Sequence, residues 1–129
     1  MQGASHRLPL CLVLGDRDEL LRVFENLIEN AVKYGQSGKR IDVTIAKRTE
    51  ADCVDISIKD YGEGIEPQHI PRLTERFYRA DIDSSRQQGG TGLGLAIVKH
   101  IITRHQGTLR IESTKGQGAK FTISIPVLK

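Results

Sequence analysis

Tryptophan is absent from this 129-residue chain, there is one methionine, and aromatic residues amount to only 5%. So few rings offer no stacking platform for single-stranded nucleic acid. The net charge of +3 is too mild and too scattered for a phosphate-tracking surface. Nucleic acid is therefore not expected as a partner. No apolar run approaches the roughly 20 residues of a membrane span, and no secretory signal is visible. Cysteine is scarce too: Cys11 and Cys53 each sit in an apolar, strand-like run. They read as small core residues in a reducing compartment, with little to motivate a disulfide. The four histidines, His6, His69, His100 and His105, lack metal-ligand spacing and read as surface residues.

Two familiar phosphate motifs are missing as well. In G-x-G-x-x-G, Gly90 and Gly92 would need a third glycine where Leu95 stands. In the P-loop pattern, Gly89 and Gly94 would need a lysine at that same position.

What remains is enough for one domain with one core. Residues 1–7 have no periodicity and read as a frayed end or an expression remnant, leaving 8–129 as the domain. "LPLCLVL" (8–14) is a short apolar run expected to form a strand. Asp16 is a good helix N-cap, followed by Asp18 and Glu19 in the first turn. Leu20, Phe24, Leu27, Ile28 and Ala31 recur at helical spacing, predicting an amphipathic helix to about Tyr34 that Gly35 and Gly38 end. Ile41, Val43 and Ile45, then Val54, Ile56 and Ile58, alternate with polar residues as in two half-buried strands joined around "TEAD". A short helix is expected from about Gln68 to Tyr78, and a polar loop over 80–91. A further helix is expected from Leu93 to His105, with Leu93, Ile97, Val98, Ile101 and Ile102 on one side and Gly107 as its cap. "TLRIES" and "AKFTISIPV" form a closing hairpin around "TKGQG". Paired strands with helices between them predict an α+β fold, a two-layer sandwich with a mixed, mostly antiparallel sheet against about three helices.

Three features point beyond a plain scaffold. Asn26, Asn30 and Lys33 fall within roughly one 60° sector of the first helix, on its polar side. Glutamate and lysine solvate a helix face better than asparagine, a weak helix former, so two asparagines beside a lysine suggest a site. An amide oxygen can ligate Mg²⁺ and a lysine can hold a phosphate. Glu29 lies nearby, though its plain reading is an i,i+4 partner of Lys33. Asp60 ends an apolar strand and opens "DYGEGI", where Gly62 and Gly64 let the backbone bend away from the carboxylate. This is either an ordinary turn aspartate or an acceptor for an exocyclic amine such as that of adenine. Finally, "GGTGLGLAIVK" (89–99) puts four glycines in six residues directly before a helix. Such a run is either a flexible loop or an anion cradle at a helix start.

In order and spacing, "NLIENAVKY" (26–34), "DYGEG" (60–64), "ERFYR" (75–79) and "GTGLGL" (90–95) resemble the N, G1, F and G2 boxes of the catalytic ATP-binding domain of sensor histidine kinases. The resemblance covers about residues 8–127, and "HIPRLTERFYR" looks most like the phosphate-regulon sensor branch. It implies the Bergerat-type sandwich shared with gyrase and Hsp90 ATPases, and ATP with Mg²⁺ as cofactors. Asn30 would ligate the metal, with Asn26, Lys33 and Tyr34 around the triphosphate. Asp60 would receive the adenine amine in a pocket shaped by Gly62, Gly64 and Ile65. Arg79 would meet the γ-phosphate, so that Arg79, Asn26 and Lys33 form the catalytic set. Tyr78, Gly90, Thr91, Gly92, Leu93 and Gly94 would belong to the lid that closes over the nucleotide. The pattern departs at Thr74, where the F box usually begins with phenylalanine.

The related hydrolases carry a glutamate where this chain has Asn26, and a neutral amide cannot take the proton of water. Glu25 and Glu29 lie about 100° and 60° around the helix from it. The resemblance therefore implies a protein-histidine kinase over a gyrase- or Hsp90-like ATPase or a non-catalytic nucleotide-binding module. Its acceptor histidine is not expected in this chain, since His6 in "SHRLP" lacks the acidic neighbour. The partners implied are the dimerisation and phosphoacceptor domain of the same kinase and, transiently, a response regulator. An isolated monomeric domain in the cytoplasm is expected, with a homodimeric parent anchored in the inner membrane.

Overall fold

The computed structural model describes residues 15–34, 38–76 and 94–127. Helix α1 (Arg17–Tyr34) starts where the sequence places it, because Asp16 accepts the Glu19 N–H at 2.9 Å and so satisfies one of the unpaired amides of the first turn. Strands β1 (Ile41–Arg48) and β2 (Cys53–Asp60) follow as an antiparallel pair, joined through a 3₁₀ turn, Thr49–Ala51, with Asp52 left-handed at φ 50°. Helix α2 (Gly94–Arg104) leads into β3 (Thr108–Ser113) and β4 (Ala119–Pro126), which close as an antiparallel hairpin. The sheet order is β1-β2-β4-β3, and all three pairings among the described strands are antiparallel. The α+β sandwich is thus present. The expected strand over 8–14, with Cys11, and the loop over 80–91 lie outside the described residues.

The core lies between the sheet and the two helices. Val23, Leu27 and Ala31 of α1 and Val98, Ile101 and Ile102 of α2 pack on Val54 and Ile58 of β2 and on Phe121, Ile123 and Ile125 of β4. The two central strands carry the most buried side chains because they have a neighbour on both sides and a helix above. Edge strand β1 fares differently. Val43 and Ile45 stand opposite Ile58 and Ile56, on the helix-facing side, yet remain 55% and 51% exposed. Alternation predicted their face but not whether a helix would cover it.

Four expectations need correction. Ile28 is 43% exposed, and Val23, not counted in the apolar stripe, is fully buried. At about 100° per residue Ile28 falls at the margin of the arc centred on Val23, Leu27 and Ala31. Where a short helix was expected from Gln68 to Tyr78, the chain forms a shorter 3₁₀ helix, Pro67–Arg72, followed by turns to residue 76, and residues 77 and 78 lie outside the described residues. Pro71 inside it lacks the N–H that an α-helical ladder requires and disfavours helical geometry at the residue before it. At the end of α2 the left-handed residue is Gln106, φ 61°, not Gly107. Gln106 N–H bonds to Thr103 O and Gly107 N–H to Ile102 O, a Schellman ending, and Gly107 is needed because a Cβ there would strike the Ser124 carbonyl. His105 is half-buried: it accepts the Asp16 N–H on Nε2 at 3.0 Å, so Nδ1 carries the proton shared with Ile101 O at 2.8 Å.

The opposite face of the sheet is polar. The hydroxyls of Ser57 and Thr122 meet at 3.1 Å, and Arg48 pairs with Asp55 at 2.9 Å. Cys53 is buried and free, as a small residue should be here, but it lies beneath the Arg48 guanidinium on this polar face, not among the apolar core.

Candidate nucleotide-binding site

Asp60 is the last residue of β2 and only 3% exposed. By alternation with Ile58 its side chain shares the helix-facing side of the sheet. Burying a carboxylate costs heavily unless donors surround it. Here Oδ1 accepts the N–H of Gly62 at 3.0 Å and of Ala119 at 3.3 Å. Both bonds land on one oxygen, so Oδ2 retains its acceptor capacity for an amine donor.

The loop after Asp60 rests on the β3–β4 turn. Gly64, φ +78°, has no room for a Cβ, which would strike the Thr114 carbonyl. Gly118, φ +89°, faces the Asp60 carbonyl in the same way. Gly116 N–H bonds to Glu63 O, and Ile65 leans on the core. Asp60, Gly62, Gly64 and Ile65, expected to shape a base pocket, thus lie in one loop packed against the β3–β4 turn. The segment it packs against, Ser113 to Ala119, was missed by sequence reasoning. The signal was present in Gly116 and Gly118, two glycines in one short turn, but nothing local says which loop they face.

Tyr61 turns to the polar face. Its hydroxyl donates to Asp42 Oδ2 at 2.6 Å, and the Lys59 ammonium and Arg40 guanidinium lie 4.9 and 5.1 Å from the centre of its ring. The Tyr61 bond, then the Arg40 bond, hold the Asp42 carboxyl below the ordinary carboxylate range, and the same bond raises the Tyr61 hydroxyl.

On α1, Asn26, Asn30 and Lys33 are half-buried, whereas Arg22, Glu25 and Glu29 are exposed. The amides thus flank the buried stripe instead of lying opposite it. No ion pair joins Glu29 to Lys33 among the described residues. Asn26 points at the start of α2: a Cβ built on Gly94 would stand 3.5 Å from its Oδ1. The polar flank of α1 at Asn26 and the N-terminus of α2 therefore meet, bringing one amide oxygen beside a helix start whose first N–H groups have no partner within the helix. Tyr34 ends α1, but its side chain, with Tyr78, Arg79, Gly90, Thr91, Gly92 and Leu93, lies outside what the structure describes.

Residues 15–129 match the family described as "Histidine kinase-, DNA gyrase B-, and HSP90-like ATPase". The chain belongs to this family. Membership of these ATPases implies an ATP-binding domain. The phosphate regulon sensor protein PhoR of Pseudomonas aeruginosa is 42% identical over 125 residues, covering 93% of this chain and 28% of its own length. The sensor-like histidine kinase SenX3 of Mycobacterium tuberculosis is 43% identical, covering 90% of this chain and again 28% of its own. The chain thus spans just over a quarter of such relatives. Among solved structures, the mycobacterial sensor histidine kinase MprB superposes with a TM-score of 0.79 at 34% identity, covering 89% of this chain and 76% of that one. Full-length ShkA in complex with AMPPNP gives 0.78 at 30% identity, covering 94% and 24%. No described helix is long and apolar enough to cross a membrane.

Proposed function

We propose that this ATPase-family domain binds Mg-ATP and passes its γ-phosphoryl group to a histidine on a separate dimerisation and phosphoacceptor domain of the same kinase, in two-component signalling. The observation that carries this reading is Asn26. It occupies the flank of α1 that meets α2, a neutral amide where the related hydrolases keep a general base, while Glu25 and Glu29 are exposed away from it. Such a site can position a triphosphate without activating water. The names of the relatives support it, since PhoR is a sensor protein, SenX3 a sensor-like histidine kinase, and ShkA was solved in complex with AMPPNP.

In this reading Asp60 accepts the adenine amine at one end, and Asn26, Lys33 and Tyr34 face the phosphates at the other. Asn30 offers a hard oxygen donor that fits Mg²⁺. When bound, the metal neutralises charge on the phosphates. Arg79 contacts the γ-phosphoryl group as it moves, and Tyr78 with Gly90, Thr91, Gly92, Leu93 and Gly94 closes over the nucleotide. The acceptor nitrogen forms a bond to phosphorus, the bridging P–O bond breaks, and ADP leaves. Such transfer is mostly positioning and charge stabilisation. The isolated domain is a monomer, its parent a homodimer anchored in the inner membrane, and a response regulator takes the phosphoryl group next.

The test mixes this domain and radiolabelled ATP with a separately made dimerisation domain of the same kinase. Acid-labile label is expected on the partner alone, and Arg79→Ala should suppress it with modest loss of ATP affinity. Rapid ATP turnover by this chain, insensitive to the partner, would move it to the hydrolases.

A further inference from the structure

At one end of the sheet, Ile41, Asp60, Ala119 and Ser113 form a row across the four strands, all on the helix-facing side. Register pairs Ile41 with Asp60 and Ala119 with Ser113, and the Ala119 N–H bridges to the Asp60 carboxylate. Ser113 ends the row, and its hydroxyl works in two directions. Oγ accepts the Ile65 N–H at 2.7 Å and donates to the Gly118 carbonyl at 2.8 Å. One small side chain thus ties the end of the 60–65 loop to the turn that holds Asp60.

We infer that Ser113 is a positioning residue for the nucleotide, fixing the Asp60 carboxylate and the Gly62–Ile65 backbone in the geometry that receives the base. This rests on the reading of Asp60 as the acceptor of the adenine amine. The backbone around it is otherwise held by close packing at Gly64 and Gly118, and by the Gly116 to Glu63 bond farther along the turn. Packing excludes motion inward. It does not stop the loop from lifting away; the two bonds of Ser113, with the Gly116 to Glu63 bond, do. Without the hydroxyl, the Ile65 amide and the Gly118 carbonyl lose their partner together, and the Ile65 end of the loop is released from the turn, leaving the Gly116 to Glu63 bond to join them. Both N–H donors that hold Asp60 Oδ1 would then shift relative to each other. Ser113 touches no nucleotide atom in this account and acts through Asp60.

The decisive pair of variants is Ser113→Thr and Ser113→Val, nearly identical in shape and both suited to a strand end, differing in the hydroxyl. Binding of adenosine and of ADP to this chain is measured by calorimetry below the melting temperature of each variant. S113V is expected to weaken both ligands equally, by about tenfold, the net worth of one to two hydrogen bonds, and S113T to keep wild-type affinity. Hydrogen exchange at the Ile65 amide should accelerate in S113V and not in S113T. Wild-type adenosine affinity in S113V, or equal losses in S113T and S113V, would overturn the inference. Asp60→Asn measured alongside separates the two readings. If it weakens adenosine binding while S113V does not, Ser113 alone is misassigned. If it leaves adenosine binding unchanged, the Asp60 reading fails and this inference with it.

Discussion

Gly94 lies over Asn26, so close that a Cβ on the glycine would touch the asparagine Oδ1 at 3.5 Å. That distance is an ordinary contact, so alanine would fit, but a branched side chain would fill the space between α1 and α2. Gly94→Val should therefore weaken ATP binding by about 1–3 kcal/mol, the usual range for an overpacked site, and leave adenosine binding unchanged. Calorimetry with both ligands checks this, and equal losses for the two would detach Gly94 from the phosphate end.

Asp60→Asn keeps an oxygen for the Gly62 and Ala119 amides, so the fold should survive. The substituted amide must present either a weaker acceptor or a donor to the adenine amine. Adenosine affinity should fall by about 2–4 kcal/mol, from the lost charged hydrogen bond and the mispairing. Unchanged affinity would remove Asp60 from the base pocket.

Asn30→Ala should abolish the gain in ATP affinity that Mg²⁺ provides, while adenosine binds as before, because the metal meets only the phosphates. A titration of ATP with and without Mg²⁺ reads this directly. A variant with full metal sensitivity would place the ion on other residues.

Tyr61→Phe removes the larger of the two hydrogen bonds that hold the Asp42 carboxyl low. A carboxyl lowered in the folded state stabilises it above the ordinary carboxylate range, and that contribution fades as pH falls through the lowered value. In Y61F the Asp42 carboxyl should titrate at higher pH than in the wild type. The stability difference between the two proteins should shrink on the acid side. Carboxyl-carbon NMR shifts against pH provide the measurement, and an unmoved Asp42 curve would assign the shift to Arg40 instead.

Leu27 and Ile28 are neighbours in sequence with opposite fates, 1% and 43% exposed. Leu27→Ala should cost about 2–5 kcal/mol of stability, while Ile28→Ala should cost less than about 1 kcal/mol. Denaturant unfolding of both variants checks this. Comparable losses would mean that Ile28 is covered in solution.

Local chemistry determined much of this protein in advance. The Asp16 cap, the helical recurrence of Leu20, Leu27 and Ala31, and the alternation along β1, β2 and the closing hairpin each depend on residues a few positions apart. They could be read without knowing where the chain goes next. The order and spacing of the asparagine, aspartate and glycine segments likewise pointed to the ATPase family. Burial and contact across long separations needed the tertiary structure. Val43 and Ile45 alternate as inward residues do, yet β1 is at the edge of the described sheet and no described helix covers it. The short helix expected after Gln68 is a 3₁₀ helix that stops at Arg72, with Pro71 inside it. Asp60 is an ordinary turn residue in isolation. It becomes a poised acceptor only because Ala119, 59 positions later, brings an N–H to its carboxylate and the Ser113–Gly118 turn closes against its loop. Hydrogen bonds of that kind depend on which strands become neighbours, and strand order is decided by how the whole core packs, not by any one segment of the sequence.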